Sequence, residues 1–264
     1  MRKTVFAVVV ALVAVFTIGP AQAIVYGQLD GNLHPNVGAF VIQREDGTFR
    51  KICSGTLIDE DVFLTAAHCS VAAVNQPGVD ADDVFVSFDS TFSQTSTLYP
   101  GTTYWDERYG TGGQNDAHDI AVIVLDDPVG IDPADLPTEG LLDDLNAEHE
   151  LRDEVFTAVG YGTVRETRKK GPQGILANQD RRYAIQGMLS LTNAWFTLSM
   201  NEATGNGGTC FGDSGGPHFL GDESSNLVVS ITVTGDAVCK ATDKTYRVDT
   251  EPAREFLSQF VVLP

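Results

Sequence analysis

Apolar residues recur along this chain in short bursts, each closed by glycine, proline, asparagine or aspartate. Residues 37–43, 55–66, 84–88, 120–125, 155–159, 183–191, 195–200 and 227–234 are rich in β-branched and aromatic side chains. Bursts of no more than about 12 residues at this spacing predict strands rather than helices. The strand–helix alternation of an α/β domain is missing, so the expected fold is all-β, a barrel or a sandwich. One helix is expected at the end, over 251–262, with Pro252 in its first turn and Phe256, Leu257 and Phe260 on one side. Residues 126–154 interrupt the pattern with 11 acidic residues, a single Arg, and Pro128, Pro133 and Pro137. That stretch reads as a surface linker between two halves, and 264 residues suit one large domain or two small ones.

The first 23 residues follow another rule. Arg2 and Lys3 precede an apolar run over 5–18, broken only by Thr17, and Ala21-Gln22-Ala23 offers the small residues that a signal peptidase reads. A membrane span needs about 20 apolar residues, and no Cys follows closely enough for a lipoprotein anchor. The segment predicts a secretory leader over 1–23, cut after Ala23. Residues 24–264 are then an extracellular domain with no membrane attachment.

Charge and cysteines narrow the partners. The chain carries 17 Lys+Arg against 36 Asp+Glu, −19 in all, and −21 once Arg2 and Lys3 have left. A nucleic-acid binder needs cations to displace counterions from phosphate, and anionic lipid makes the same demand. Neither partner fits. A 42% hydrophobic and 20% charged composition is that of an ordinary globular chain, which excludes disorder. Outside the cell, Cys53, Cys69, Cys210 and Cys239 read as two disulfides; no C-x-x-C pair suggests a metal, and three connectivities remain open.

Three segments carry candidate chemistry. Thr65-Ala66-Ala67-His68-Cys69 ends an apolar strand; His118-Asp119 leads directly into six apolar residues, where a buried carboxylate needs a partner. Gly212-Asp213-Ser214-Gly215-Gly216-Pro217 sets a Ser in a glycine-rich turn that exposes its hydroxyl beside backbone N–H groups. Taken singly, a lone His or a strand-initiating Asp is usually structural. The Gly212-x-Ser214-x-Gly216 spacing formally matches the α/β-hydrolase nucleophile elbow, but that fold needs a His after an acid after the Ser. Here the only later His is His218, and Pro217 and Gly221 prevent the helix.

The order His68, Asp119, Ser214 instead resembles the chymotrypsin-like, trypsin-type serine proteases of bacterial secreted kind. Ile24-Val25-Tyr26-Gly27, Ser54-Gly55-Thr56-Leu57-Ile58, Asp119-Ile120-Ala121-Val122 and Val159-Gly160-Tyr161-Gly162 join the His68 and Ser214 motifs in the family's order. The resemblance implies two six-stranded antiparallel Greek-key barrels, about 24–135 and about 136–250, with the site in the cleft between them and a C-terminal helix. It implies a serine endopeptidase acting on protein or peptide as a monomer, with bridges Cys53–Cys69 and Cys210–Cys239. Ser214 would be the nucleophile, His68 the base, Asp119 its orienter, and the N–H groups of Gly212 and Ser214 the oxyanion hole. A freed Ile24 would pair with Asp213. Ser230 would orient Asp119, and Ser230-Ile231-Thr232 would pair with substrate.

The pocket is where this chain departs from trypsin. Gly208, followed by Thr209, stands where trypsin carries the Asp that selects Lys and Arg, and Thr232 would narrow the entrance. Small or medium apolar side chains are therefore expected, with Lys244, Asp236 or Asp243 as charges that could reach in. The basic stretch 165–182 reads as a solvated loop. Asp80, Asp82 and Asp83 fall where some relatives hold calcium, but carboxylates without matching carbonyl geometry establish no site; no cofactor is expected, with calcium as the alternative. A protease-like scaffold without catalysis is the contrasting reading, against which the intact His68, Asp119, Ser214 and Gly212 weigh.

Overall fold

A computed structural model describes residues 24, 26–113, 115–165 and 171–264. The expected leader over 1–23, Val25 and the basic residues within 166–170 lie outside them. Six strands make the first barrel: β1 (Val37–Gln43), β2 (Phe49–Leu57), β3 (Val62–Thr65), β4 (Val84–Ser87), β5 (Tyr99–Trp105) and β6 (Ala121–Leu125). They run antiparallel in the order β1-β2-β3-β6-β5-β4, and β4 closes on β1. Six more make the second: β7 (Val155–Gly160), β8 (Arg182–Leu191), β9 (Trp195–Ser199), β10 (Pro217–Leu220), β11 (Val228–Gly235) and β12 (Thr242–Arg247). Their order, β7-β8-β9-β12-β11-β10 with β10 closing on β7, repeats that of the first barrel. Closure leaves no long edge strand open to pairing. Each barrel is filled by apolar side chains such as Phe40 and Phe63 in one, Phe156 and Phe196 in the other, all fully buried. A side chain of that size contributes about 1.5–3 kcal/mol by burial.

Several elements differ from the sequence reading. The run 55–66 is two strands, β2 and β3, because Asp59-Glu60-Asp61 turns the chain between them. Strands β5, β10 and β12 were not expected: β5 contains Pro100 and Gly101, β10 begins at Pro217, and β12 is mostly polar. In β12 the inward Asp243, Thr245 and Arg247 are buried because each meets a partner. Helix α1 (Ala67–Val74) follows β3 immediately, and α2 (Leu141–Ala147) lies inside the stretch read as a linker. That stretch is docked rather than loose: Leu142 and Leu151 are fully buried, and Asp249 accepts from the Leu142 N–H. The final helix, α3, is shorter than expected, Glu251–Leu257.

The basic stretch 165–182 is likewise not simply solvated. Arg181 has no exposed surface; its Nε donates to Asp30 and its Nη1 to the carbonyls of Val37 and Phe88. His34 flanks the same Asp30 carboxylate. Burial raises the Asp30 pKa, but His34 and Arg181 together hold it below the ordinary carboxylate value. This buried pair ties the first described turn to both barrels.

Candidate active site between the barrels

Strand register brings Asp119 to His68. Strands β3 and β6 pair with Thr65 opposite Ala121, so the residues just beyond, Ala67-His68 and Asp119, meet at the same end of the barrel. Asp119 is 3% exposed and accepts from the His68 N–H at 2.9 Å through Oδ1. Its Oδ2 lies 2.9 Å from His68 Nδ1. With Nδ1–H given to the carboxylate, the other ring nitrogen is the basic one. The Cys53–Cys69 disulfide fixes the next residue of α1 to β2.

The Ser214 turn is held from both barrels. Ser54 of β2 donates its N–H to the Ser214 carbonyl at 2.9 Å. The Ser54 hydroxyl donates to the Gly212 carbonyl at 3.0 Å and accepts from the Tyr161 N–H. Gly215 N–H reaches the Thr232 carbonyl of β11 at 2.7 Å. Gly212 sits at φ 98°, a conformation that favours glycine. With the Gly212 and Ser214 carbonyls held back by Ser54, the N–H groups of those two residues have no acceptor among the described residues. Two adjacent unpaired donors beside a Ser hydroxyl form a cradle for a developing oxyanion.

Behind the turn, Asp213 is completely buried and accepts from Gly162 N–H at 2.7 Å and Cys210 N–H at 2.8 Å. A Cβ on Gly160 or Gly162 would fall 2.3 or 2.2 Å from the carboxylate oxygens, so these positions admit only glycine. Burial pushes the Asp213 carboxyl up to about 6, against the pull of those donors and of Lys51. Lys51 donates to the Tyr161 carbonyl at 2.6 Å, and its own burial lowers its pKa. Ile24 is fully buried, and Tyr26 packs on the Cys210–Cys239 disulfide beside the same turn.

A cavity of about 160 Å³ opens next to Ser214, walled by Thr209, Cys210–Cys239, Thr232 and the stretch Val233–Ala237. Here the sequence reading needs correction. Ser230 does not reach Asp119: its hydroxyl accepts from Thr245. Ser230 and Ile231 pair with β10 and β12 on both sides, so their backbones are spent within the barrel. A register shift between Thr232 and Thr234 moves the exposed wall on to Val233–Gly235. Gly208 lies outside the lining, against Met200 and Gln186. Lys244 turns away and sits 3.8 Å over the Trp195 ring.

The acids are engaged as well. Asp236 receives four backbone N–H groups, Val238, Lys240, Ala241 and Thr242, which hold its pKa below the ordinary value although burial raises it. Asp243 is fully buried and meets His218 and Gln186 through Oδ2, while its Oδ1 has no hydrogen-bond partner among the described residues. Asp80, Asp82 and Asp83 are exposed and gather no further ligands; the one His/Cys/Asp/Glu cluster of metal spacing among the described residues is Cys53, His68 and Cys69, whose sulfurs are spent in a disulfide. Sequence reasoning missed Ser54 and Arg181, because neither residue type signals a role without its distant partners. Peptide mapping without reductant is expected to recover Cys53–Cys69 and Cys210–Cys239. A Cys69–Cys210 link would contradict the two-barrel arrangement.

Comparison with known proteins agrees with this geometry. The family model Trypsin matches residues 31–254. Coagulation factor IX of Cavia porcellus is 25% identical over 203 residues, 72% of this chain and 66% of that protein, so the chain spans just under two thirds of it. The venom plasminogen activator Haly-PA of Gloydius brevicauda is 26% identical over 221 residues, 79% of this chain and 77% of that one. A trypsin of Saccharopolyspora erythraea is 25% identical over 224 residues, 82% and 88% of the two chains. With six motifs in order, two barrels of one topology and a family match over most of its length, the chain belongs to the trypsin family of serine-type peptidases.

Proposed function

We propose that the protein is a secreted endopeptidase that cleaves through an acyl-enzyme on Ser214. His68 takes the Ser214 proton and passes it to the leaving amine, while Asp119 holds the imidazole tautomer and stabilises the imidazolium. The N–H groups of Gly212 and Ser214 receive the oxyanion. The observation that carries this reading is the pairing of a buried, His-bound Asp119 with two unpaired donors on the Ser214 turn. Two disulfides suit an oxidising, extracellular compartment, and the apolar start of the sequence supplies the export signal. Export itself then produces the working enzyme, because cutting after Ala23 frees Ile24 directly.

The side chain before the scissile bond enters the 160 Å³ cavity. Asp236 is saturated by backbone donors and Gly208 brings no charge, so a cationic side chain would lose its water without gaining a free carboxylate. Peptide amides with Ala, Val, Leu or Phe at that position are expected to be cut at least tenfold faster than those with Arg or Lys, a difference of about 1.4 kcal/mol. A kcat/KM profile over such a set decides the matter. Preferred cleavage after Arg would overturn this specificity and mean that an acid such as Asp236 or Asp243 reaches the bound side chain.

A further inference from the structure

We propose that the groove on the far side of Gly212 binds acidic residues of the substrate just after the scissile bond. The proposal rests on the acyl-transfer reading, which places the scissile carbonyl at Gly212 and Ser214. A depression of about 850 Å³ runs from Gly212 and Phe211 along β2, past Lys51 and Arg50, to Arg44. Phe211 also borders the 160 Å³ cavity, so the two depressions meet there, beside the Ser214 turn. A chain with one side chain in the smaller cavity and its carbonyl at the turn would, on this proposal, continue into the larger one. Phe211 is 59% exposed at this junction, an apolar surface that such a chain would cover.

The charge of the groove is opposite to that of the protein. Among the described residues three cations line it and no Asp or Glu does, in a chain with 36 acidic residues against 17 basic ones. Lys51 is committed inward to the Tyr161 carbonyl. Arg44 and Arg50 are exposed, flank the β1–β2 hairpin, and make no side-chain hydrogen bond or ion pair among the described residues. The nearby Asp46 carboxylate accepts from the Thr48 N–H and hydroxyl, and Arg44 acts on it as a charge without forming an ion pair. Two guanidinium groups with open donor edges suit carboxylates, which they grip bidentately. Beyond Arg44 and Arg50 the surface carries Glu45 and Asp46, which confines the preference to the first few residues after the cut.

The test compares two quenched peptides that share the sequence up to a scissile Leu-Ala bond and continue with Glu-Glu or Lys-Lys. Two solvent-exposed ion pairs are each modest, so at low salt the Glu peptide is expected to have about tenfold the kcat/KM of the Lys peptide. In 1 M NaCl, with a screening length of about 3 Å, the ratio should fall towards one. The double substitution Arg44→Gln with Arg50→Gln should bring the ratio close to one at low salt, and Arg44→Glu with Arg50→Glu should invert it. Because each ratio is taken within one enzyme, a general loss of activity cancels. A Leu ester with a small alcohol leaving group, which does not enter the groove, tests the underlying reading separately. An ester and both peptides cut with a ratio near one in the unsubstituted enzyme would overturn the groove proposal. Failure to cut any of them would overturn the acyl-transfer reading instead.

Discussion

Asp119→Asn, in a chain starting at Ile24, is expected to hydrolyse peptide amides about 10⁴-fold more slowly than the unsubstituted enzyme. The loss follows from the two contacts Asp119 makes, one to the His68 N–H and one to Nδ1. An amide can keep the first contact. At the second it presents either a poorer acceptor or a donor that drives the Nδ1 proton to the other ring nitrogen, leaving His68 unable to take the Ser214 proton. The two side chains are nearly the same size and the site is 3% exposed, so the variant should keep its fold, which circular dichroism checks. Ser214→Ala and His68→Ala are expected to fall as far or further, and their combination no further than the worst of them, since these residues act as a unit. A loss of less than tenfold in Asp119→Asn would remove Asp119 from the mechanism.

A chain with one extra residue ahead of Ile24 is expected to lose at least about 100-fold in kcat/KM, because breaking a buried ion pair typically costs about 3–5 kcal/mol. Asp213 is the reason. It is wholly buried, and burial has pushed its carboxyl up to about 6, above the ordinary value near 4. In the extended chain the folded state therefore binds this proton more tightly than the unfolded state does. The stability contributed by the group is complete below about pH 4 and is lost as pH rises through about 6, on the order of 3 kcal/mol. A free ammonium at Ile24 reverses the sign. Asp213 is then held ionised, its folded pKa drops below the unfolded value, and the stability it contributes is complete above about pH 4 and is lost only as pH falls below that. It persists until the α-amino group, near 8 when unperturbed, releases its proton. Between pH 4 and 7 the melting temperature of the extended chain should fall relative to that of the chain starting at Ile24, and parallel curves would refute the pairing.

The difference between what was legible and what was not is physical. The turns around His68, Asp119 and Ser214 could be read from the chain because each is local and composition-bound. Gly212 needs its positive φ, and Gly160 and Gly162 leave room for the Asp213 carboxylate. Apolar strands such as β1 and β6 announce themselves by continuous burial. Strand β12 does not, since Asp243 and Arg247 are tolerated inside only through their partners, His218 and Gln186 for the one, Asp249 and the distant Asp143 for the other. The pocket wall was misplaced for a similar reason. A single register shift after Thr232 hides Ser230 and Ile231 in the barrel and exposes Val233–Gly235, and no composition rule reveals where a ladder slips.

Labelling with a fluorophosphonate tests the central claim most directly, because the reagent reacts with a Ser hydroxyl only when base and oxyanion donors stand in place around it. Protein starting at Ile24, with both disulfides formed, should take up one equivalent. Mass spectrometry should place it on Ser214, and the adduct should be missing in Ser214→Ala and formed far more slowly in His68→Ala. No adduct in the correctly folded protein, or an adduct on any other residue, would contradict the account.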